Sequence, residues 1–571
     1  MKNILSKILC FCLTLCLIFM LFACDNDNES SSSSSSESES SEPSSEGATP
    51  TYTEAVTIFN SDDMFTDRDK NPSYDSSATV ITLNGENIEC ESSDVLISGG
   101  QITISAGGDY IIRGSALDAS IVVNASSTDK VCLVLDGANI STSEFASIFV
   151  KKAKKVFVLV KGSCSLSSVG EFVDRDIGSA GAVIYSKEDI TLQGDGSLTI
   201  STEHGHGIES KGNLKISSLS LTVNASSHAI CAKDSIRTLN SNLNLTAGKD
   251  AIHAESQSVG AGYIYCEGGQ MTITSGFDAL DGTGAISVDN VKMVISSGMA
   301  VSGSSSMKGF KSDDSIAILS GDVSINSSDD GIHSGDSVLI AGGKLSISCS
   351  DDAIHADQTI FITGGDTSVT KSYEGLEGQR VVICSGKLKI NANDDGINAG
   401  GGNDSSGQND EFDQSVRCSI DISGGEIYVN AKGDGVDSNG TISVSGGITI
   451  VEGPTNNKNG PFDYDLSASV TGGIFVAIGS PGMAMNFSKG TQGAILHNFE
   501  NTAPASSELK IYDGDTLILS HISEKQFVSV LVSAPSFKVG GTYKIVAGEQ
   551  SVEITLSELI HNKGYHSGMI K

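Results

Sequence analysis

Residues 328–357 read SDDGIHSGDSVLIAGGKLSISCSDDAIHAD. An acid pair, a small residue, an isoleucine and a histidine stand at Asp329 to His333 and return 22 residues later at Asp351 to His355. Following that central isoleucine in both directions gives a column: Ile208, Ile230, Ile252, Leu280, Phe310, Ile332, Ile354, Leu376, Ile397, Val436 and Phe462. Steps of 21 or 22 dominate, and the longer steps of 28, 30, 39 and 26 read as loops inserted into one repeating coil. A second marker keeps the same phase. The glycines Gly269, Gly321, Gly343, Gly365, Gly386 and Gly425, each preceded by Gly or Ser, all lie eleven residues before the column.

Within one unit the apolar residues alternate in short runs, as at Leu345 and Ile347, then Ile354 and Ala356, then Ile360 and Ile362. Period-two runs separated by Gly, Ser and Asp are strands and turns. Three short strands per 22 residues build a coil of a parallel β-helix, each strand pairing with its equivalent about 4.8 Å away. The fold class is therefore all-β, with the inward Ile, Leu and Val stacked into one core. Tight corners explain the fixed glycines, because they need backbone angles that a Cβ disfavours. A β-helix also needs closed ends. The segment 53–80 is the expected cap at one end. The segment 486–571, where the beat is lost but apolar residues alternate, is expected to be a small C-terminal β subdomain.

The composition fits this reading, with 64 glycines in 571 residues and only 19% charged residues. The net charge of −34 excludes a nucleic-acid partner, since binding phosphates needs an excess of Lys and Arg. Cations are the expected small partners.

Stacking turns two positions of the repeat into polar ladders. Two residues before the column stand His206, His228, Asp250, Asp278, Lys308, Asp330, Asp352, Glu374, Asp395 and Asp434. One residue after it stand Glu209, Cys231, His253, Asp281, Lys311, His333, His355, Glu377, Asn398 and Asp437. Two bare carboxylates about 5 Å apart repel by roughly 3 kcal/mol at an effective dielectric of about 20. Protonation or a bound cation relieves this. Calcium suits such oxygen donors at corners, whereas the histidines leave zinc open. Turn capping by Asp and Asn is the alternative. The expected metal-ligating set is Asp329, Asp330, Asp351, Asp352, Glu374, Glu377, Asp394, Asp395, Asp434, Asp437, Asp463 and Asp465. The inserted loop 401–413, GGNDSSGQNDEFD, is a further acidic cluster or a solvated insertion.

The start MKNILSKILCFCLTLCLIFMLFAC reads as a secretory signal over 1–24, with an uncleaved membrane anchor as the alternative. Its end, Leu21-Phe22-Ala23-Cys24, resembles a bacterial lipobox, which would place lipid on Cys24. Residues 25–52 are rich in Ser and Glu and read as a disordered tether. The eight cysteines from Cys90 to Cys418 sit singly in strand-like runs, as buried hydrophobes or as partners in disulfides that spacing cannot pair. No GxSxG, HExxH or phosphate-binding loop is present, and repetition prevents spacing alone from nominating a catalytic acid and base.

The repeat at 205–447, together with FTDRD (65–69), GGDYIIRGS (107–115), DKVCLVLDGANI (129–140), KSYEGLEGQ (371–379) and GPTNNKNGPFDYD (453–465), resembles the clostridial cell-surface carbohydrate-binding β-helix family. The resemblance implies a right-handed parallel β-helix over 53–485, similar in topology to polysaccharide lyases. It implies bound Ca2+ and plant cell-wall polysaccharide as partner, with cellulose and acidic pectic chains as candidate ligands. It also implies a lipid-anchored position on the extracellular face of the cell membrane. Glu374, Glu377, Asp463 and Asp465 lie in the matching segments, and Tyr373 and Tyr464 there are candidate sugar-stacking residues, with packing at a corner as the alternative. Lys308 and Lys311 interrupt the acidic ladder, which argues against metal in that coil. The expected function is non-catalytic polysaccharide binding. A calcium-dependent pectate-lyase-like enzyme, with Lys371 or Arg380 as base, and an adhesin or spacer are the alternatives.

Overall fold

The computed structural model describes residues 52–298, 306–400 and 418–564. The expected signal, Cys24, the tether up to residue 51 and the loop 401–413 lie outside the described residues. The body is a β-solenoid of about 15 turns whose strands pair in parallel, with a second, smaller antiparallel sheet at its C-terminal side.

Three ladders run along the solenoid. The first carries the column and passes through Ile230–Ala232, Ile252–Ala254, Leu280–Gly282, Phe310–Ser312 and Ile332–Ser334 in exact-equivalent register, so that Ile pairs with Ile and His333 with His355. The second includes Asn213–Ser217, Ile286–Asp289, Ile316–Ile318 and Ser337–Ile340. The third includes Ser163–Ser168, Ser197–Thr202, Ser220–Ala225 and Lys344–Ser348. Column residues from Ile208 to Phe462 are fully buried in one core. The column continues towards the N-terminus through Ile184, Ile148, Ile121 and Ile102. These coils are spaced 24, 36, 27 and 19 residues apart and lack the acid motif, which hid them from the repeat count.

The six marker glycines turn corners with φ between +76° at Gly343 and +117° at Gly321. At Gly343 an added Cβ would meet the Gly321 carbonyl oxygen at 2.5 Å, so the turn of the neighbouring coil excludes a side chain.

The ends differ from expectation on one side. The segment 53–80 does not cap the solenoid. Its first part runs along the outer surface of the second ladder as a strap, with the short helical turns Tyr52–Ala55, Ser61–Met64 and Asp67–Lys70. That surface is apolar and needs cover. Val56 packs on Ala317, Leu339 and Phe361, Met64 and Phe65 on Leu239 and Tyr265, and Tyr74 on the cluster of Val134, Phe157 and Leu159. The strap is pinned by Asp69, which is fully buried and receives Lys155 Nζ and Lys215 Nζ, each at 2.9 Å, and Thr191 Oγ1 at 3.0 Å. Antiparallel hairpins, Thr79–Asn84 with Asn87–Glu89 and Val95–Ser98 with Gln101–Ile104, stand at the N-terminal end instead. At the other end Ile474–Gly479 pairs antiparallel with Phe527–Ser533, which breaks the parallel stacking. Beyond it a four-stranded sheet, from Glu508–Asp513 to Gln550–Thr555, packs Leu509, Ile511 and Tyr543 into a core shared with Val476, Ile478 and Phe527 of the large sheet.

The eight cysteines in the described residues are free thiols; six are buried, Cys90 is half-buried and Cys384 is exposed.

Candidate functional site

The first ladder builds the site, because each of its strands is only about three residues long and places one polar side chain on either side of a buried apolar one. Coils before Ile208 carry apolar or aromatic residues at these positions, such as Phe149 and Tyr185, which stack at 5.5 Å. From His206 onward the positions become polar, and they fall into two stretches with different charge balance.

In the stretch from 206 to 357 the acids are interleaved with cations. The imidazoles of His206, His228 and His253 stack at 5.0 and 4.5 Å, and those of His333 and His355 at 4.6 Å. Asp250 Oδ2 lies 3.2 Å from the Nδ1 atoms of both His228 and His253, and His253 Nδ1 also meets Asp281 Oδ2 at 2.9 Å. Burial alone would lower the His253 pKa, but its bonds to Asp250 and Asp281 overcome that and push it up to about 10. Lys308 Nζ reaches Asp330 at 2.5 Å and Asp329 at 3.1 Å, while Lys311 Nζ reaches Asp281 at 3.1 Å. His355 Nδ1 lies 2.9 Å from Glu377 and 3.5 Å from Asp352; these contacts outweigh burial and raise its pKa to about 11. Only His206, which has no carboxylate bond, is pushed down to about 4 by burial and by the neighbouring His228.

The second stretch holds Glu374, Glu377, Asp394, Asp395, Asp434, Asp437, Asp463 and Asp465, and no Lys, Arg or His occupies its two ladder positions. Its carboxylates are mostly half-buried. Partial relief comes from neutral donors. Asn398 Nδ2 donates to Glu374 at 3.1 Å, and the backbone amides of Asp434 and Gly460 donate to Asp395 and Asp434, each at 2.5 Å. That pattern also runs through the first stretch, where the amides of Asp278, Lys308 and Asp352 bond the carboxylates one coil earlier at 3.0, 2.7 and 3.0 Å. It is insufficient in the second. Burial, then Glu377 and Asp352, push Glu374 up to about 9; burial and Asp434 push Asp395 to about 7 and Asp437 to about 8. A cation is the alternative to these protons. At Gly433 a Cβ would lie 2.2 Å from Asp395 Oδ1 and 2.3 Å from Asp394 Oδ1, so glycine keeps the space beside both oxygens free of a side chain. The donors are all oxygens, which fits a hard cation such as calcium.

Of the twelve residues expected as metal ligands, Asp329, Asp330, Asp351 and Asp352 thus stand in coils that carry His333 or His355, and Lys308 reaches the first two from the preceding coil. The remaining eight form the stretch without ladder cations. What sequence reasoning missed is the role of those cations as counter-charges; reading the two ladders in register, 22 residues apart, would have paired Lys308 with Asp330. Tyr373 is 48% exposed, and its hydroxyl bonds Asp394, which raises its pKa to about 12. Tyr464 is half-buried, donates its hydroxyl to the Asn486 carbonyl at 2.8 Å and packs edge-on against Phe462, a corner-packing role. Lys371 is exposed at the end of a third-ladder strand, and Arg380 stands in the second ladder between Thr359 and Ser419. Neither belongs to the acidic ladder.

Three comparisons place this chain among known proteins. The family of carbohydrate-binding domain-containing proteins matches residues 98–353 and 349–555. A carbohydrate-binding domain-containing protein of Acetivibrio thermocellus is 30% identical over 224 residues, 38% of this chain and 78% of that protein. A polysaccharide lyase-like protein from C. thermocellum, solved as a gadolinium derivative, is 26% identical with a TM-score of 0.40, covering 43% of this chain and 98% of its own. The family match alone spans most of the solenoid and its C-terminal sheet, and the chain belongs to the carbohydrate-binding domain-containing protein family.

Proposed function

We propose that this chain is a surface-tethered, non-catalytic module that binds plant cell-wall polysaccharide, cellulose or acidic pectic glycan, on a solenoid stabilised by calcium. The observation that carries the reading is the run of eight carboxylates from Glu374 to Asp465 with no Lys, Arg or His at its own ladder positions, only Glu377 meeting His355 of the preceding coil, in a chain of the carbohydrate-binding family. Calcium there would let these groups stay ionised without mutual repulsion and would bridge the −34 chain to acidic sugars. The lipobox-like Leu21 to Cys24 supports anchoring through lipid on Cys24, at the extracellular face of the membrane.

The test is co-sedimentation of the soluble body from about residue 50 with insoluble cellulose and with calcium pectate gel, with and without chelator. Binding to pectate is expected to be lost on chelation. Release of unsaturated uronide, read by its ultraviolet absorbance, would replace this reading by that of a lyase. Failure to retain either polysaccharide would leave a spacer or an adhesin for another ligand. For the anchor, incorporation of labelled palmitate that is lost in Cys24→Ala is the expected outcome.

A further inference from the structure

The two charged or covered faces leave the third. The outer surface of the second ladder lies under the strap as far as Phe361, and the first ladder is ionic from His206 onward. The outward residues of the third ladder are uncovered and fall into straight columns. One column runs through Ser165, Thr199, Thr222, Asn244 and Thr272. A second runs through Ser167, Ser201, Asn224, Thr246 and Thr274, and a third through Ser197, Ser220, Asn242 and Gln270. Over these coils the face carries hydroxyls and amides and no charge, in a chain of net charge −34. Further along charges enter the face: the third column runs through Lys292, Asp322, Lys344, Asp366, Lys387 and Glu426, and Lys371 and Lys389 stand on the other two, so the neutral part is the stretch up to Thr274. At its far end His521 and Glu524, from the C-terminal part, stand against Tyr428 and Asn430 and close the face off.

These polar groups are unspent. Ser165 bonds Asn139 and Ser197 bonds Ser163, at 2.7 and 3.2 Å. From Thr199 to Thr274, in contrast, the outward side chains of the three columns make no other hydrogen bond to the protein among the described residues, and nearly all are exposed. The rows repeat every ~4.8 Å along the solenoid, close to the advance of one sugar along an extended β-linked chain. A ladder of neutral donors and acceptors with that period suits a neutral, hydroxyl-rich polymer, and it neither attracts nor repels by charge.

We propose that the third face, from Ser163 to Thr274, is the docking surface for an uncharged β-linked glucan lying along the solenoid axis, with successive sugars facing successive rows. This rests on the polysaccharide-binding reading above and assigns the neutral glycan to a surface distinct from the acidic ladder.

The test uses the soluble body and the double variant Thr199→Arg with Asn244→Arg, two rows apart on the middle column, where bulky cations break the flat array but meet no core residue. A second variant, Thr222→Ala with Thr272→Ala, removes only hydroxyls. Co-sedimentation with insoluble cellulose is expected to weaken at least tenfold in the first and several-fold in the second, with unchanged melting and unchanged retention on calcium pectate. Cellulose binding equal to that of the parent overturns the assignment of this face. If the parent binds pectate but no glucan, the face proposal fails and the broader reading stands; if it binds neither, both fail. A change from dimer to monomer in the arginine variant, by sedimentation velocity, would make the face a contact between copies of this chain and overturn the proposal.

Discussion

Asp69→Asn tests how the strap is held. In the parent, the two carboxylate oxygens of this buried residue accept five hydrogen bonds: from Lys155, Lys215 and Thr191, and from the Thr66 amide and hydroxyl at 3.0 and 2.8 Å. The asparagine amide, whichever way it turns, presents an NH2 group to one of the two ammoniums and leaves both without a counter-charge. Burial already holds the Lys215 pKa below its ordinary value even with Asp69 beside it. Removing one partner from a buried ion pair costs about 3–5 kcal/mol. The loss falls on the strap, whose other anchors are the apolar contacts of Val56, Phe65 and Tyr74, and not on the coil core. At about 1.4 kcal/mol per decade, the fraction of molecules with the strap detached rises by roughly 10² to 4 × 10³-fold.

The assay is limited proteolysis within 52–78 at low protease, where cleavage tracks the open fraction. The expected result is a cleavage rate raised by that factor, with the solenoid left intact. The pH dependence carries a sign. Asp69 has its pKa well below the ordinary carboxylate value, so its contribution is full above an unfolded pKa of about 3.9 and is lost as pH falls through the folded value. The gap between parent and variant is therefore level from pH 7 to 5 and narrows below about 4. A variant cleaved at the parental rate at pH 7 would refute the argument that this carboxylate holds the strap.

Phe310→Ala opens a cavity in the column between Leu280 and Ile332 and is expected to cost about 3–5 kcal/mol, read from the urea midpoint. Gly375→Ala places a Cβ 2.2 Å from the Gly396 carbonyl oxygen and 2.5 Å from Ile390 Cγ2, whereas Gly85 has nothing within 4 Å; differential melting should show Gly375→Ala to be the more damaging, by about 1–3 kcal/mol for the overpacking alone. Lys308→Met leaves Asp329 without its ammonium and Asp330 with only His333 beside it, and should destabilise by about 3 kcal/mol at pH 7, an effect that shrinks as Asp330 protonates in acid; chemical denaturation at pH 7 and 3 measures it. Calcium at 100 times its dissociation constant is expected to stabilise the body by about 2.7 kcal/mol, and Glu374→Gln with Asp437→Asn should abolish that gain in a thermal scan.

The coils from Ile208 onward were legible because one side chain recurs at one spacing and glycine recurs where a corner forbids Cβ. Gly343 shows both, with positive φ and the Gly321 carbonyl in its way. The coils at Ile102, Ile121, Ile148 and Ile184 were not legible, since their loops vary in length and their flanking residues are apolar. The strap was misplaced for a different reason. Its partners are far away in sequence, as in Thr57 with Ser315 and Ser61 with Glu267, and no periodicity links a short helical turn to the outside of a distant ladder. In the acidic ladder the residue types were plain, but their charge balance depends on which side chains meet across coils, and that needs the register.

A parallel solenoid sets like against like, so an acid at every coil is a repeating repulsion of roughly 3 kcal/mol per neighbouring pair. This chain answers it in two ways along one ladder. Up to His355 imidazoles and ammoniums stand among the acids and offset much of the repulsion, although burial and neighbouring carboxylates still push Asp278 up to about 6 and Asp352 to about 8. From Glu374 no cation stands in the ladder itself, and of its eight carboxylates Glu377 meets His355 of the preceding coil, although a single lysine per coil, as at Lys308, would have served. A folded scaffold gains nothing from leaving that stretch unbalanced, and a cation-dependent site does. The uncharged stretch of the third face from Ser163 to Thr274 separates the two chemistries further: through it a chain of charge −34 can approach an uncharged polymer, whereas an acidic one would need a bridging cation. A chelator should therefore divide the ligands cleanly, releasing acidic glycans while leaving retention on cellulose in place; loss of both together, with the fold intact, would mean that a single surface serves them.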